Sequence, residues 1–163
     1  MEINILIEDE FKNRLTRRWL ITTVQAVLTA EKAGDNTELG VMITTQERVQ
    51  QLNWTYRNKN EPTDVLSFFM IDGEKTQKGS EIFVTPPDNI RHIGEVIISY
   101  PQSLKQAREH KHTVKKEITI LLIHGILHLL GYDHVEDDEE SKMKARESAL
   151  LKRITNNQNT NTN

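Results

Sequence analysis

Four short segments of the chain are predicted to be β-strands, and in the first of them apolar residues occupy every second position, the pattern of a strand with one buried face. In the first segment these residues are Ile3, Ile5 and Ile7, and the third segment is rich in Val, Leu and Phe. The predicted strands span residues 2–8, 39–43, 64–70 and 93–99. Because longer segments lie between and after them, the four strands predict a small sheet covered by helices.

The longer segments carry apolar residues at helical spacing. Thr44, Pro101 and Thr113 are placed to begin helices, and the helix that follows Thr113 is the most apolar. The five predicted helices span about residues 10–32, 44–56, 101–109, 113–130 and 137–154. We therefore predict an α+β fold, in which a small mixed four-stranded sheet packs with about five helices and the most apolar helix is central.

At 163 residues the chain is long enough for one domain with a substantial core. Residues 71–91 contain glycines and a proline pair among polar residues, so we expect a surface excursion there. Residues 156–163 are almost entirely Asn and Thr and are expected to form a disordered tail. The predicted domain is therefore residues 1–155.

The chain contains no cysteine, so disulfides and thiolate zinc sites are excluded and histidine must carry any zinc ligation. The first residues lack the basic start and apolar core of a secretion signal, and no apolar run reaches the length of a membrane span. We therefore expect a cytoplasmic protein without a membrane-spanning helix.

The net charge of -3 is unevenly distributed. Residues 104–116 carry five cationic side chains against one glutamate, whereas residues 136–140 are all acidic. Acidic residues in the first turn of a helix are favoured by its dipole, which explains the second block. The basic segment is either a solvated helix face or a patch that binds phosphate, and its candidate contacts are Lys105, Arg108 and Lys111.

Three histidines at the end of the most apolar helix have the spacing of a metal site. His124 and His128 are four residues apart, so on a helix their imidazoles lie on one face. Gly131 can adopt the left-handed conformation that ends the helix, which lets His134 return as a third ligand. Three imidazoles leave one position of a tetrahedral zinc site open for a water whose pKa the metal lowers to about 7.

The spacing H-x-x-x-H-x-x-G-x-x-H is that of the metzincin proteases, with one difference. These proteases carry a glutamate general base directly after the first histidine, where this chain has Gly125. The motif therefore indicates a zinc site but argues against simple peptide hydrolysis. Outside the motif, we expect His92, His110 and His112 at the surface rather than on a metal.

A second unusual segment, residues 53–68, joins the second helix to the third strand and presents Arg57 and Lys59 in a loop. Together with the histidine motif and residues 94–99, this segment closely resembles the YbeY family of bacterial ribosomal-RNA maturation factors. The resemblance extends over roughly residues 2–152, with the three segments in the family's order. Two departures are Phe69 where the family often has proline and Glu95 where it often has aspartate.

The resemblance implies a zinc-dependent, single-strand-specific endoribonuclease of the cytoplasm that acts in 16S rRNA 3′-end maturation and ribosome quality control. Its partners would be single-stranded rRNA, the ribosome or small-subunit proteins, and assembly factors. By motif position, one Zn²⁺ per chain is bound by His124, His128 and His134. The family's functionally important arginine corresponds to Arg57, and Lys59 is a further candidate RNA contact.

The mechanism is assigned only in part. We expect Arg57 to stabilise charge on the phosphate, and His124 to act through the metal. The general base is left open between a metal-bound hydroxide, attack by the RNA's own 2′-hydroxyl, Glu95 and Asp133, and Asp133 is favoured instead to orient a ligand ring. Two other functions stay open: an RNA-binding ribosome-assembly factor with a structural zinc, and a metal-dependent hydrolase of another bond, such as a peptide.

Overall fold

The computed structural model describes residues 1–59, 63–71, 74–76, 90–132 and 137–160. Its strands and helices follow the order β1 (Glu2–Ile7), α1 (Arg17–Ala30), β2 (Thr37–Thr44), α2 (Gln46–Arg57), β3 (Val65–Ile71), β4 (Glu74–Thr76), β5 (Arg91–Ser99), α3 (Tyr100–Glu109), α4 (Val114–Leu129) and α5 (Asp137–Thr160). A short 3₁₀ turn precedes α1. Within this part of the chain, no helix has the length and apolar character needed to cross a membrane.

The strands form one mixed sheet in the order β1-β2-β5-β3-β4. Strands β1, β2 and β5 are parallel, β3 is antiparallel to β5, and β4 is antiparallel to β3. The predicted α+β fold with a mixed sheet is therefore confirmed, and all four predicted strands are present. The three-residue strand β4 is an addition from the segment expected to be a surface excursion, most of which lies outside the described residues.

Helices cover both faces of the sheet. On the face here called the α4 face, Val96 and Ile98 pack with buried residues of α1, α4 and α5. On the opposite face, here called the α2 face, Ile97 and Phe68 pack against α2. Successive residues of a strand point to opposite faces, so Val96 and Ile97 mark the two faces of β5. Helix α4 contacts β3 and β5 on one side and α1, α3 and α5 on the others.

The starts of two helices differ from the prediction. Helix α1 begins at Arg17 rather than near residue 10, because the hydroxyl of Thr16 accepts a backbone N–H of the first turn at 3.1 Å. The 3₁₀ turn before it buries Phe11, so the apolar spacing continues although the α-helix does not. Helix α2 is capped by Thr45 rather than by Thr44, one residue later than predicted.

Helix α5 continues to Thr160 and thus enters the polar tail for which the sequence predicts disorder. Its last buried apolar residues are Leu150 and Ile154. Extending an existing helix avoids the cost of nucleating a new one, so weak helix formers can follow a well-packed segment. Residues 161–163 lie outside the described residues.

Both predicted ends of α4 are confirmed. The hydroxyl of Thr113 accepts a first-turn N–H at 3.1 Å. At the other end Gly131 has a φ of +105°, and its N–H donates to the carbonyl of His128 at 3.1 Å. The N–H of Tyr132 donates to the carbonyl of Leu127 at 3.0 Å, which completes a Schellman motif. The chain therefore turns back after the histidine helix, as a returning third ligand requires.

Candidate metal centre

The predicted ligands His124 and His128 face each other near the end of α4. Their Nε2 atoms are 3.1 Å apart, and their ring centroids are 4.5 Å apart with the rings at 80°. Two nitrogens that each lie about 2.0–2.1 Å from a tetrahedral zinc are about 3.3 Å from one another. The histidine pair therefore fits a shared ion on the side of the two Nε2 atoms. The predicted third ligand, His134, and the neighbouring Asp133 lie outside the described residues.

A carboxylate of α5 holds the first ligand. Oε1 of Glu147 lies 2.8 Å from Nδ1 of His124, and both side chains are only partly exposed. Assigning the Nδ1 proton to this hydrogen bond leaves the lone pair of Nε2 directed away from the carboxylate. Metal-binding histidines usually have such a partner, which fixes the tautomer and raises the basicity of the ring. Glu147 therefore makes an orienting contact of the kind that the sequence predicts for Asp133, which lies outside the described residues.

The sequence does indicate that Glu147 has a polar partner, although this residue belongs to neither the strand pattern nor the histidine motif. Met143, Leu150 and Ile154 are buried on one stripe of α5. Glu147 is four residues after the first of these and three before the second, so it occupies the same stripe. A charged residue in an otherwise apolar stripe requires a buried partner. That requirement predicts a polar contact, although it does not identify His124 as the partner.

The chain that leaves α4 is anchored by Tyr132. Its hydroxyl donates to Oε2 of Glu31 at 3.2 Å, while Nε of Arg146 donates to Oε1 of the same carboxylate. Burial, followed by the negative charge of Glu31 and its hydrogen bond, raises the pKa of Tyr132, so its hydroxyl stays protonated as a donor. These two hydrogen bonds of Glu31 connect the end of α4 to α1 and α5. Tyr132, which makes one of them, lies two residues before His134.

Gly125 lies against the sheet and not beside an open position of the metal centre. A Cβ at residue 125 would lie 2.8 Å from Cγ1 of Val96 and 3.0 Å from Oγ of Ser67. The hydroxyl of Ser67 also donates to the carbonyl of Gly125 at 3.2 Å. The glutamate that metzincins carry here would have to displace the sheet. Its absence therefore follows from the close packing of α4 on β3 and β5.

Arg57 belongs to α2, which covers the opposite face of the sheet from α4. It is exposed and forms no hydrogen bond or ion pair within the described part of the chain. Its neighbour Tyr56 packs edge-on against Phe68, with ring centroids 5.3 Å apart. Phe68 pairs with Glu95 across the sheet, and Glu95 alternates with Val96 along β5. Glu95 therefore lies on the α2 face, and the structure does not bring it to the histidine pair.

The cations predicted to contact RNA occupy two separate places. Lys59 is exposed just beyond the end of α2. Lys105 and Arg108 are exposed on α3, and Lys111 is exposed in the turn between α3 and α4. A helix rises 1.5 Å per residue, so the start of α4 is about 15 Å from His124. The α3 cations therefore lie near the far end of α4 and not beside the histidine pair.

The three histidines outside the motif are not all simple surface residues. His92 is partly buried, and its Nδ1 lies 2.8 Å from Oε1 of Glu38. His110 and His112 both approach the buried carboxylate of Glu117. The expectation of surface positions holds for the exposed side chain of His110 but not for His112, which is 16% exposed. The α3–α4 turn folds back on the first turn of α4, a contact that sequence spacing alone does not reveal.

The fold is that of an α+β protein, and its histidine pair is a candidate metal centre of the kind that metal-dependent hydrolases use. A family model described as "Endoribonuclease YbeY" matches residues 2–155. The chain belongs to this family and is therefore a metal-dependent endoribonuclease, a hydrolase that acts on phosphodiester bonds.

Individual relatives and a solved structure agree with this membership. The chain is 45% identical over 155 residues to the endoribonuclease YbeY of Dehalococcoides mccartyi strain CBDB1, covering 94% of this chain and 93% of the relative. It is 39% identical over 132 residues to that of Roseiflexus sp. strain RS-1, covering 80% and 79%. A solution structure from Thermotoga maritima aligns with a TM-score of 0.64 at 23% identity, covering 98% and 93% of the two chains, which shows the shared fold.

Proposed function

We propose that the chain is a zinc-dependent, single-strand-specific endoribonuclease of the cytoplasm, acting in 16S rRNA 3′-end maturation and ribosome quality control. The catalytic Zn²⁺ is held by His124, His128 and His134. Single-stranded rRNA is the substrate, and the ribosome or small-subunit proteins and assembly factors are the partners. Residues 1–155 form the single nuclease domain. The convergence of the His124 and His128 nitrogens is the observation that carries the proposal.

In this proposal some side chains bind or orient the metal ligands, and another binds the substrate. Bound zinc supplies a Lewis acid that polarises the phosphodiester and lowers the pKa of the attacking oxygen. Glu147 accepts the Nδ1 proton of His124 and holds the ring in the ligand orientation. Arg57 offers a planar guanidinium that binds two phosphate oxygens. The general base is left open between a metal-bound hydroxide, attack by the RNA's own 2′-hydroxyl, Glu95 and Asp133.

Exposed aromatic residues near Arg57 support binding of a single strand. Trp54 is 56% exposed and lies three positions before Arg57, so the two side chains are neighbours on the surface of α2. Tyr56 is 38% exposed beside them. Unstacked bases can lie on aromatic rings while a cation binds the backbone, an arrangement that a base-paired duplex cannot use. The end of α2 therefore suits single-stranded RNA better than a duplex.

The test compares His124→Ala and Arg57→Ala with the parent on a single-stranded RNA and on its duplex, with and without chelator. We expect His124→Ala to lose the zinc ion of the α4 histidines and, with it, RNA cleavage. Arg57→Ala should keep its zinc but cleave on the order of a hundredfold or more slowly, the usual loss for one transition-state donor. Arg48→Ala is the matched control, since Arg48 is exposed earlier on α2 and should leave the rate unchanged. Undiminished cleavage by His124→Ala would contradict the proposal.

The same preparations separate the two other functions. A parent protein that binds RNA and keeps zinc through chelator treatment, yet cleaves no RNA, would be an assembly factor with a structural ion. Chelator-sensitive cleavage of a broad peptide panel, without cleavage of RNA, would indicate a hydrolase of another bond. The tight packing around Gly125 makes the peptidase outcome the less expected of the two.

A further inference from the structure

A second group of metal-binding side chains lies at the corner between α3 and α4. Nδ1 of His110 is 3.0 Å from Oε1 of Glu117, and Nε2 of His112 is 3.4 Å from Oε2. The three candidate ligand atoms all lie within 4.8 Å of one another. Both histidine-to-carboxylate distances are close to the roughly 3.3 Å edge of a tetrahedral zinc site. One carboxylate and two imidazoles therefore converge without any contribution from the histidine pair of α4.

The backbone at this corner is fixed by hydrogen bonds. The N–H of Lys111 donates to the carbonyl of Arg108 at 3.3 Å, and the N–H of His112 donates to that of Ala107 at 3.0 Å. Lys111 has a φ of +57°, so the α3 end forms a Schellman motif with a lysine where glycine is usual. Thr113 then caps α4. This backbone holds both histidines against Glu117 in the first turns of α4.

The chemistry of the cluster favours a cation. The side chain of Glu117 is 3% exposed, and a buried carboxylate requires a positively charged or hydrogen-bonding partner. Nε2 of His112 is fully buried and has no partner with hydrogen-bond geometry within the described part of the chain. Nδ1 of His110 is already hydrogen-bonded to Oε1 of Glu117 at 3.0 Å, so a divalent ion would replace that bond and would also give Nε2 of His112 a partner. A ligand set of two histidines and one carboxylate suits zinc and similar divalent metals.

We propose that His110, His112 and Glu117 form a second divalent-metal site, of the zinc-binding class, that fixes the α3–α4 corner. Glu117 and His124 are seven residues apart on α4, a rise of about 10 Å. This distance exceeds the roughly 3.5–4 Å between the ions of a two-metal catalytic centre. The two sites therefore bind their ions independently, and the second site does not depend on the proposed nuclease function.

The test counts zinc ions on the full chain. Metal-free protein is titrated with Zn²⁺ by calorimetry at physiological salt, which screens the exposed lysines near the corner, and bound metal is counted after gel filtration. The expected parent value is two ions per chain. Glu117→Gln and His124→Ala should each bind one, and the double variant none. Histidine ring resonances of His110 and His112 should shift in the His124→Ala protein as its single ion binds.

Two further variants keep the outcome decisive. Because Glu117 is buried, its substitution risks unfolding, so His110→Ala provides a second probe at a side chain that is 58% exposed. It should fold and bind the second ion at least tenfold more weakly. Glu109→Gln, an exposed acid next to the cluster, is the matched control and should bind two ions. A His124→Ala protein that binds no zinc, or a folded His110→Ala protein with parental affinity for both ions, would overturn the proposal.

Discussion

Gly125→Ala is the sharpest test of how α4 is held against the sheet. Alanine removes the conformational freedom of glycine in a helix and should by itself stabilise the protein by about 1 kcal/mol. The new Cβ would, however, lie 2.8 Å from Cγ1 and 3.1 Å from Cγ2 of Val96. Rotating the valine exchanges one methyl for the other. Restoring an ordinary carbon–carbon contact of about 3.5 Å therefore requires a backbone shift of roughly 0.7 Å.

The magnitude follows from these two opposed effects. Overpacking of this kind costs about 1–3 kcal/mol, so the variant should be less stable than the parent by about 1 kcal/mol. For a chain of this length that lowers Tm by roughly 2–4 °C, which thermal unfolding followed by circular dichroism resolves. The shift also moves His124 relative to Glu147, and zinc affinity should fall by roughly tenfold, the lower end of the effect of losing an orienting partner.

Repeating the substitution in a Val96→Ala protein tests whether the contact with Val96 causes the loss of stability. In a Val96→Ala protein both crowding methyls are absent and only Oγ of Ser67, at 3.0 Å, remains close, so Gly125→Ala should cost less stability there than in the parent. The smaller loss of stability in the Val96→Ala background is the expected signature of the contact with Val96. A Gly125→Ala protein that is as stable as the parent, with parental zinc affinity, would refute the reasoning. The protease glutamate would then be absent for a reason other than packing.

Four further substitutions test other parts of the structure. Glu147→Gln should weaken zinc binding by roughly 10–100-fold in a chelator competition assay with little change in fold. A zinc affinity equal to that of the parent would show that Glu147 does not orient a zinc ligand. Trp54→Ala should weaken binding of single-stranded RNA by about 5- to 150-fold, the worth of one stacked base, while zinc content stays unchanged. Lys32→Gly should raise the free energy of unfolding by about 0.5–1 kcal/mol, because Lys32 has a φ of +56° after α1; a denaturant titration that shows a loss would contradict this. Gly94→Ala should cost more than about 3 kcal/mol or abolish folding, since its Cβ would lie 2.0 Å from the carbonyl oxygen of Phe68, and a stable variant would show that β3 and β5 can separate there.

The parts of the fold that depend on local pattern could be predicted from the sequence. Alternation along residues 2–8 predicts β1 because the period of a strand is set by its own backbone. The two ends of α4 follow from Thr113 and Gly131, whose effects extend over one turn. The start of α1 was misplaced because Phe11 continues the apolar spacing through a 3₁₀ turn. Spacing reports which side chains are buried, and only the hydrogen bonds of Thr16 determine where the α-helix begins.

Contacts between distant segments could not be predicted in the same way. Glu147 is 23 residues from His124, and the packing of α5 against α4 brings them together. Similarly, the sequence does not show that His112 turns inward, because its direction depends on the Schellman motif at Lys111. The motif thus predicts His124 and His128 as a pair that could share a metal ion, whereas the contact of Glu147 with His124 depends on tertiary packing.

The loss of the protease glutamate and the presence of Glu147 are consequences of one arrangement of α4. In a metzincin the acidic group is on the ligand helix itself, directly after the first histidine. Here that position faces β3 and β5, where Gly125 allows the helix to approach Val96 closely. A carboxylate that contacts His124 must then come from an element packed on another side of α4. Helix α5 meets that condition, since its buried stripe faces the core and Glu147 replaces an apolar residue in it. The acidic partner of the histidine pair is therefore an orienting group on a neighbouring helix and not a general base on the ligand helix.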